Sequence, residues 1–112
     1  MKPDRGRLGL EDSAPIFGAL GDPTRLKLVA RLSRGGPQSI TRLTRGSPLT
    51  RQAITKHLRV LAGAGLVRGT RLGRESLWEL KPERLEVAHR YLELISKRWD
   101  SALGRLQKFV EE

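Results

Sequence analysis

Glycine and proline divide this chain into short segments up to Pro82. The breaks fall at residues 21–23 (Gly-Asp-Pro), 35–37 (Gly-Gly-Pro), 46–48 (Gly-Ser-Pro) and 81–82 (Lys-Pro), and such combinations end one helix or begin the next. The segments between these breaks leave room only for small helices and short strands. Since the chain has 112 residues, it fits one domain with a single modest core.

Apolar residues recur at helical spacing in the first four segments. We predict helices over residues 14–20, from Pro23, after Ser39 and after Thr50. The expected N-caps are Ser13, Asp22, Ser39 and Thr50. The side chains expected to face a core are Leu26, Val29, Ala30 and Leu32 in the second helix, Ile40 and Leu43 in the third, and Ile54, Leu58 and Leu61 in the fourth.

After the fourth helix the apolar period changes from helical to alternating. Leu66-Val67 opens a strand, residues 72–74 (Leu-Gly-Arg) are typical of a hairpin tip, and Trp78 and Leu80 share one face of the returning strand. Lys81-Pro82 then opens a last, long helix. Two short helices joined by a turn and followed by a basic hairpin predict a winged helix-turn-helix, a mainly α fold with a small β-hairpin wing.

Charge is distributed unevenly along the chain. No acidic residue occurs between Asp22 and Glu75, whereas that stretch contains twelve Lys and Arg residues. Residues 82–112 carry six bases and six acids, so the net charge of +10 resides before residue 82. Because like charges repel, a folded segment with such a bias usually binds a polyanion, most often nucleic acid. The alternative is a generically basic surface.

Several motifs in this order resemble the ArsR-type bacterial repressors. They are residues 20–25 (LGDPTR), 50–61 (TRQAITKHLRVL), 64–67 (AGLV), Gly73-Arg74 with Trp78 and Leu80, and a tail from Lys97-Arg98-Trp99-Asp100 to Leu106 that is similar to a subgroup with a Trp in its last helix. The resemblance covers roughly residues 14–110. It implies a homodimer that binds operator DNA and represses transcription, and many members release DNA when a metal or metalloid binds.

The sequence departs from the metal-sensing members of that family. The resemblance implies sensor ligands from a Cys pair on the third helix, or from His and acidic residues on the last helix. This chain has no Cys, and its last helix has only His89, with Glu86 and Glu93 nearby. A transition-metal site needs three or four soft or imidazole ligands. We therefore predict no metal site and no cofactor.

The fourth helix is the candidate recognition helix, because a B-DNA major groove accepts one α-helix whose N-terminal side chains reach base edges. The predicted base-reading residues are Arg51, Gln52, Thr55, Lys56 and His57. His57 borders the apolar stripe, so packing inside the fold is an equal alternative for it. The residues predicted to contact the DNA backbone, or to reach DNA from the wing, are Arg25, Thr41, Arg42, Thr50, Arg59, Arg68, Arg71 and Arg74. For the wing, phosphate contact and minor-groove insertion both remain open.

The last helix has a seven-residue apolar repeat. One position of the repeat is Leu85, Leu92, Trp99 and Leu106, and the position three residues later is Ala88, Ile95, Ala102 and Phe109. A helix from residue 83 to 110 would be about 40 Å long, more than a domain of this size can cover. We therefore predict that the terminal helices dimerise, with Ile16, Phe17 and Leu20 of the first helix joining the interface. The alternative is that part of this stripe packs on its own domain.

Three parts follow from these patterns: a flexible arm (1–12), a winged helix-turn-helix DNA-binding domain (13–81) and a dimerisation helix (82–112). The predicted function is a sequence-specific transcriptional regulator, a homodimeric repressor or autorepressor of a pseudo-palindromic operator. The alternative is an architectural or RNA-binding protein with low sequence specificity. No catalytic trio or phosphate-loop spacing points to an enzyme. The expected partners are double-stranded DNA and a second copy of the chain. No membrane association is expected, and the sequence does not indicate an effector. The lack of cysteine and of a signal-peptide core favours the cytoplasm.

Overall fold

The computed structural model describes residues 11–111. Its elements, in chain order, are α1 (Ala14–Leu20), α2 (Pro23–Gly35), β1 (Gln38–Ser39), α3 (Ile40–Thr44), α4 (Arg51–Gly63), β2 (Val67–Leu72), β3 (Glu75–Leu80) and α5 (Pro82–Glu111). The predicted mainly α fold with a hairpin wing is confirmed. Residues 1–10 of the predicted arm lie outside the described residues.

Side-chain caps set the starts of three helices. The backbone N–H groups of Arg25, Arg42 and Ala53 donate to Asp22, Ser39 and Thr50 at 3.0, 3.1 and 3.1 Å. The predicted cap at Ser13 is wrong, because its side chain makes no capping hydrogen bond. A capping residue needs an extended backbone to direct its oxygen at the helix amides, whereas Ser13 is already helical, with φ −85° and ψ −29°.

One apolar core joins all four short helices to the sheet and to the start of α5. Its buried members are Ile16, Ala19, Leu28, Leu32, Ile40, Leu43, Ile54, Leu58, Leu61, Leu66, Val67 and Ala88. The inward faces predicted for α3 and α4 are confirmed. In α2 the stripe is shifted, because Leu28 is buried while Leu26 is 52% exposed. Leu28 and Leu32 lie four residues apart on one helical face, and packing selects that face.

A three-stranded antiparallel sheet, ordered β1-β3-β2, forms the wing and attaches it to the domain. Val67 pairs with Leu80 and Leu72 pairs with Glu75, so residues 73–74 form a two-residue loop. Gly73 has a φ of 63°, a conformation that favours glycine in tight hairpins. Strand β1, which pairs with residues 77–78, was not predicted, since two residues are too few to show an alternating pattern.

Helix α5 has 30 residues and is therefore about 45 Å long. Its first turns pack against the core through Leu85, Val87 and the buried Ala88. The ring of Tyr91 lies 6.1 Å from that of Phe17 on α1, measured between centroids. Beyond this contact the helix carries large exposed apolar side chains. Among the helices within residues 11–111, none combines the length and apolarity needed to cross a membrane.

Candidate nucleic-acid interface

The outward face of α4 brings together the side chains predicted to contact DNA. Arg51, Gln52, Thr55, Lys56 and Arg59 line one shallow concavity, and the buried stripe of α4 lies on the opposite side of the helix. No acidic residue occupies the first turn of α4. The positive end of the helix dipole and these cations therefore favour an anion in front of α4.

Two hydroxyl groups of α4 have roles inside the helix. The Thr50 hydroxyl accepts the backbone N–H of Ala53 as the N-cap, so this predicted backbone contact also sets where α4 begins. Thr55 Oγ1 donates to the carbonyl of Arg51 at 2.8 Å. Its proton is therefore engaged, and it offers partners outside the helix a methyl group and oxygen lone pairs.

A groove runs between α4 and the wing. Its lining residues are Ile40, Arg51, Thr55, Arg59, Gly69, Thr70, Arg71, Ser76 and Trp78. The Trp78 indole covers Gly69, where an added Cβ would lie 3.1 Å from the ring carbons, so a larger residue there would require the indole to move by a few tenths of an ångström. The groove therefore presents three guanidinium groups and several hydroxyls above an apolar floor, which suits a phosphodiester backbone.

The wing arginines differ in their charge environment. Arg68 stands opposite Glu79 in the ladder and forms an ion pair with it, with Nε donating to Oε1 at 3.0 Å. This hydrogen bond to Glu79 raises the pKa of the Arg68 guanidinium. Within residues 11–111, no carboxylate lies at ion-pair distance from Arg71 or Arg74. The predicted contribution of Arg68 to DNA binding is therefore partly offset, whereas Arg71 and Arg74 keep their charges for a ligand.

Arg25 and His57 hydrogen-bond within the chain. Arg25 Nε donates to the carbonyl of Ala19 at 2.6 Å, and Nη1 lies 3.1 Å from His57 Nδ1. The His57 ring lies on the flank of α4 that faces α2, 3.9 Å from the carboxylate of Asp22. His57 is thus half-buried and Arg25 hydrogen-bonds within the chain, while the predicted DNA contacts of both residues remain predictions.

The hydrogen bond from the backbone N–H of Arg25 lowers the pKa of Asp22, and the positive charge of Arg25 acts in the same direction. A carboxylate whose pKa is depressed on folding adds stability above its unfolded pKa, and this stability is lost as the pH falls through the folded value. The contribution of Asp22 to the start of α2 is therefore present at neutral pH and is lost in acid.

Helix α3 is held by a residue whose role was not predicted. Arg31 donates from Nη1 to the carbonyl of Leu43 at 2.8 Å and from Nη2 to that of Arg42 at 2.9 Å. It thereby supplies donors to the carbonyl end of α3. These partners lie eleven and twelve residues away in sequence, so no local pattern indicates the contact. Thr41 and Arg42 remain exposed on α3, where they were predicted to contact backbone.

The predicted dimer face divides into covered and uncovered residues. Ile16 is 0% exposed and Ala88 is buried in the core of its own chain, so neither offers surface to a partner. Phe17, Leu20 and Leu85 pack partly against that core. The remaining predicted residues lie further along α5, where Trp99 is 62% and Phe109 78% exposed. In this part of the stripe Leu92, Trp99, Leu106 and Phe109 are exposed and Ile95 and Ala102 are half-buried, and the exposed Leu103 and Val110 widen it.

The acidic cluster on α5 is exposed, and two of its carboxylates lie near the His89 ring. His89 Nδ1 lies 3.9 Å from Glu86 and Nε2 lies 3.6 Å from Glu93. Across the part of the chain that the structure describes, no three His, Cys, Asp or Glu side chains form a group that could hold a metal ion.

Known proteins share this fold and sequence. A helix-turn-helix domain family matches residues 20–70. The HTH-type transcriptional regulator Rv2034 of Mycobacterium tuberculosis is 35% identical over 93 residues, which are 83% of each protein. The HTH-type transcriptional repressor SmtB of the same species is 29% identical over 84% of this chain and 67% of its own length.

A solved structure agrees with these relatives. The ArsR-like transcriptional regulator from Rhodococcus sp. RHA1 superposes with a TM-score of 0.74 at 36% identity, over 88% of this chain and 92% of that one. The relatives are transcriptional regulators and not enzymes. With the exposed face of α4 and the basic wing, these similarities show that the chain belongs to the ArsR-type family of winged helix-turn-helix, DNA-binding transcriptional regulators.

Proposed function

We propose that this regulator is a homodimeric, sequence-specific repressor of a pseudo-palindromic operator. The observation that carries the proposal is the outward face of α4, where Arg51, Gln52, Thr55 and Lys56 stand together at the start of the helix. This is the part of a recognition helix that reaches base edges in the major groove. Their chemistry is varied rather than uniformly cationic, which favours base discrimination over phosphate binding alone.

Each side chain suits a particular base contact. The planar guanidinium of Arg51 matches the two acceptors of guanine, and the amide of Gln52 matches the donor and acceptor of adenine. Thr55 offers its methyl group to the methyl of thymine, because its hydroxyl proton is engaged with Arg51 O. Lys56, one turn beyond Gln52, adds a flexible donor for guanine or a phosphate.

Phosphate contacts would supply most of the affinity and fix the position of α4. Arg59 and Arg71 border the groove between α4 and the wing, where a DNA strand would pass between the two elements. Arg74 at the hairpin loop, with Thr41 and Arg42 on α3, is exposed on the same chain segment without acidic residues. Such contacts are independent of sequence and make binding strongly dependent on salt.

The apolar stripe of α5 supports the proposal of a dimer. Its large exposed side chains, from Leu92 to Phe109, follow a heptad pattern that a second α5 helix would cover. A two-fold dimer would place two α4 helices in successive major grooves, about 34 Å apart, and so require a pseudo-palindromic site. A dimer bound across a promoter blocks transcription by occupying it. Autorepression is the simplest form, since it needs no other target gene.

The proposal is tested by selecting duplexes from a random library with the wild-type protein. We expect a two-fold symmetric site that binds at least ~10³ times more tightly than a scrambled duplex of equal composition. The promoter of the protein's own gene should contain this site, and footprinting there is the second measurement. A ratio near one would instead favour the architectural or RNA-binding alternative, which structured RNA included in the same assay would distinguish.

A further inference from the structure

Arg25, near the start of α2, links this helix to α1 and to the recognition helix α4. Its backbone N–H donates to the Asp22 carboxylate at 3.0 Å, at the start of α2. Its Nε donates at 2.6 Å to the carbonyl of Ala19, in the last turn of α1, where helix carbonyls have no partner of their own. Its Nη1 reaches His57 Nδ1 on α4 at 3.1 Å. One side chain thus links α1, α2 and α4.

The direction of the hydrogen bond between Arg25 and His57 follows from the chemistry of Arg25. A guanidinium has donors only, so His57 Nδ1 is the acceptor in this contact. This hydrogen bond depends on direction, whereas the burial of Ile54 and Leu58 does not. The apolar stripe holds α4 against the core and limits its rotation through side-chain packing. The directional hydrogen bond to His57 adds a second constraint on that rotation, outside the core.

Rotation of α4 matters because side chains translate it into displacement. Side-chain ends lie 5–6 Å or more from a helix axis, so a rotation of about 10° moves them by ~1 Å. A bidentate hydrogen bond to a base tolerates only a few tenths of an ångström. Arg51, Thr55 and Arg59 face the wing on one flank of α4, and His57 faces α2 on the other. A fixed point at His57 therefore sets the rotation of the base-reading face.

We propose that Arg25 and His57 are positioning residues that fix the rotation of α4, and so determine operator specificity without touching DNA. The inference rests on the proposed sequence-specific function. It also connects α4 to the proposed dimer helix, because the end of α1 that Arg25 holds belongs to the same short helix as Phe17, whose ring contacts Tyr91 of α5. The contact thus orients α4 relative to α5, and hence the two recognition helices of a dimer relative to each other.

Four single variants and one double variant of the full chain test the inference. The affinity of each is measured for the duplex selected by the wild-type protein and for its scrambled counterpart. His57→Leu removes the acceptor. His57→Asn retains one, because asparagine Oδ1 occupies the position of imidazole Nδ1, one bond beyond Cγ. Arg25→Lys keeps the charge but not the fork that reaches Ala19 and His57 together. Lys27→Gln is the matched control, since it removes a charge from an exposed position of α2. Thermal unfolding of each variant is followed by circular dichroism.

We expect His57→Leu and Arg25→Lys to lower the ratio of selected to scrambled affinity by roughly 5- to 100-fold, while His57→Asn stays within about threefold of wild type. Lys27→Gln should weaken both duplexes equally. The Arg25→Lys/His57→Leu double variant should lose no more than either single variant, since both remove one contact.

If His57→Leu and Arg25→Lys lower the thermal stability but leave the ratio of selected to scrambled affinity unchanged, the contact has a purely structural role and the inference is overturned. A reduced affinity ratio in His57→Asn would also contradict the inference, because specificity would then not depend on a hydrogen-bond acceptor at position 57. If His57→Leu does not fold, the affinity ratio of Arg25→Lys is compared with that of Lys27→Gln, and the same outcomes support or contradict the inference. A wild-type protein without any preference for the selected duplex would instead defeat the proposed function, and the positioning role with it.

Discussion

The surface around α4 and the free length of α5 differ in what they leave exposed to solvent. The α4 surface buries its apolar residues, such as Ile54 and Leu58, and exposes charges of one sign. Helix α5 does the reverse, since it exposes Trp99 and Phe109, while the six bases and six acids of residues 82–112 balance. Each surface therefore lacks what a different partner supplies, an anion for α4 and an apolar helix for α5.

The separation of charge from apolar surface would also allow DNA and the proposed second copy of the chain to bind at once. Two copies of a chain with a net charge of +10 repel each other over distance, and this repulsion opposes any dimer. Because the excess charge resides before residue 82 and not on α5, the dimer helices can meet where the local field is weakest. Bound DNA would then neutralise the charge that remains.

The two surfaces should differ in their response to salt, and this difference is the largest effect we expect. If the dimer neutralises roughly 6–10 phosphates, operator affinity should fall ~10³- to 10⁵-fold between about 50 and 200 mM salt. Dimerisation should change little over that range, because burial of apolar surface is not screened. Fluorescence anisotropy with a labelled duplex and sedimentation equilibrium measure the two constants. A dimer that dissociates with rising salt, or an affinity that stays flat, would break the comparison.

A single charge placed in the stripe should abolish dimerisation and, with it, tight binding to the operator. Leu92→Glu puts a carboxylate into the proposed seam at a cost of several kcal/mol to the dimer. Sedimentation velocity should therefore show monomers, and operator affinity should collapse because two half-sites are no longer bound together.

Leu26→Glu on α2 is the matched control for this prediction. Leu26 is exposed to 52% and Leu92 to 51%, so the two replacements disturb a single chain similarly. The Leu26 variant should remain dimeric. A Leu92→Glu protein that also stays dimeric would place the interface elsewhere, most directly on α1.

Within the DNA surface, the start of α4 and the wing should contribute differently. Arg51→Ala and Gln52→Ala should each cost about 1–3 kcal/mol at the selected operator and much less on a scrambled duplex. Arg71→Ala should weaken both duplexes by similar factors, since phosphate contacts carry no sequence information. Equal losses on both duplexes for the α4 variants would refute base reading by α4. A selective loss for Arg71→Ala would show that the wing discriminates minor-groove width.

The features that the sequence predicted are those with local signals. The start of α2 follows from Asp22 and Pro23, whose cap and fixed φ act within one turn. The start of α4 follows in the same way from Thr50, and the placement of Arg51, Gln52, Thr55 and Lys56 on one face follows from helical period alone. Helix α1 spans the predicted residues although its expected cap does not form, because Pro15 and the apolar spacing suffice.

The features that could not be predicted depend on packing between distant segments. Leu26 and Leu28 both fit an apolar stripe of α2, and only the position of the neighbouring helices buries Leu28. Arg25 and His57 are separated by 32 residues. The sequence of a basic stretch does not indicate which of its basic side chains turn inward. It therefore predicts DNA contacts for Arg25 and Arg68, although each also has a hydrogen-bond partner in the chain.

The smallest effect we expect comes from Glu79, which forms an ion pair with Arg68 of the wing. Glu79→Gln removes the charge that holds Arg68 and leaves the strand pairing intact, so the wing gains a free cation. One additional phosphate contact strengthens binding roughly two- to fivefold at physiological salt and steepens the salt dependence by about one unit of slope. Glu93→Gln on α5 is the control, because it removes the same charge outside the DNA surface, and it should change the salt slope little. Unchanged binding in Glu79→Gln would show that Arg68 points away from the DNA even when it is released, and the contact of the wing would then be confined to Arg71 and Arg74.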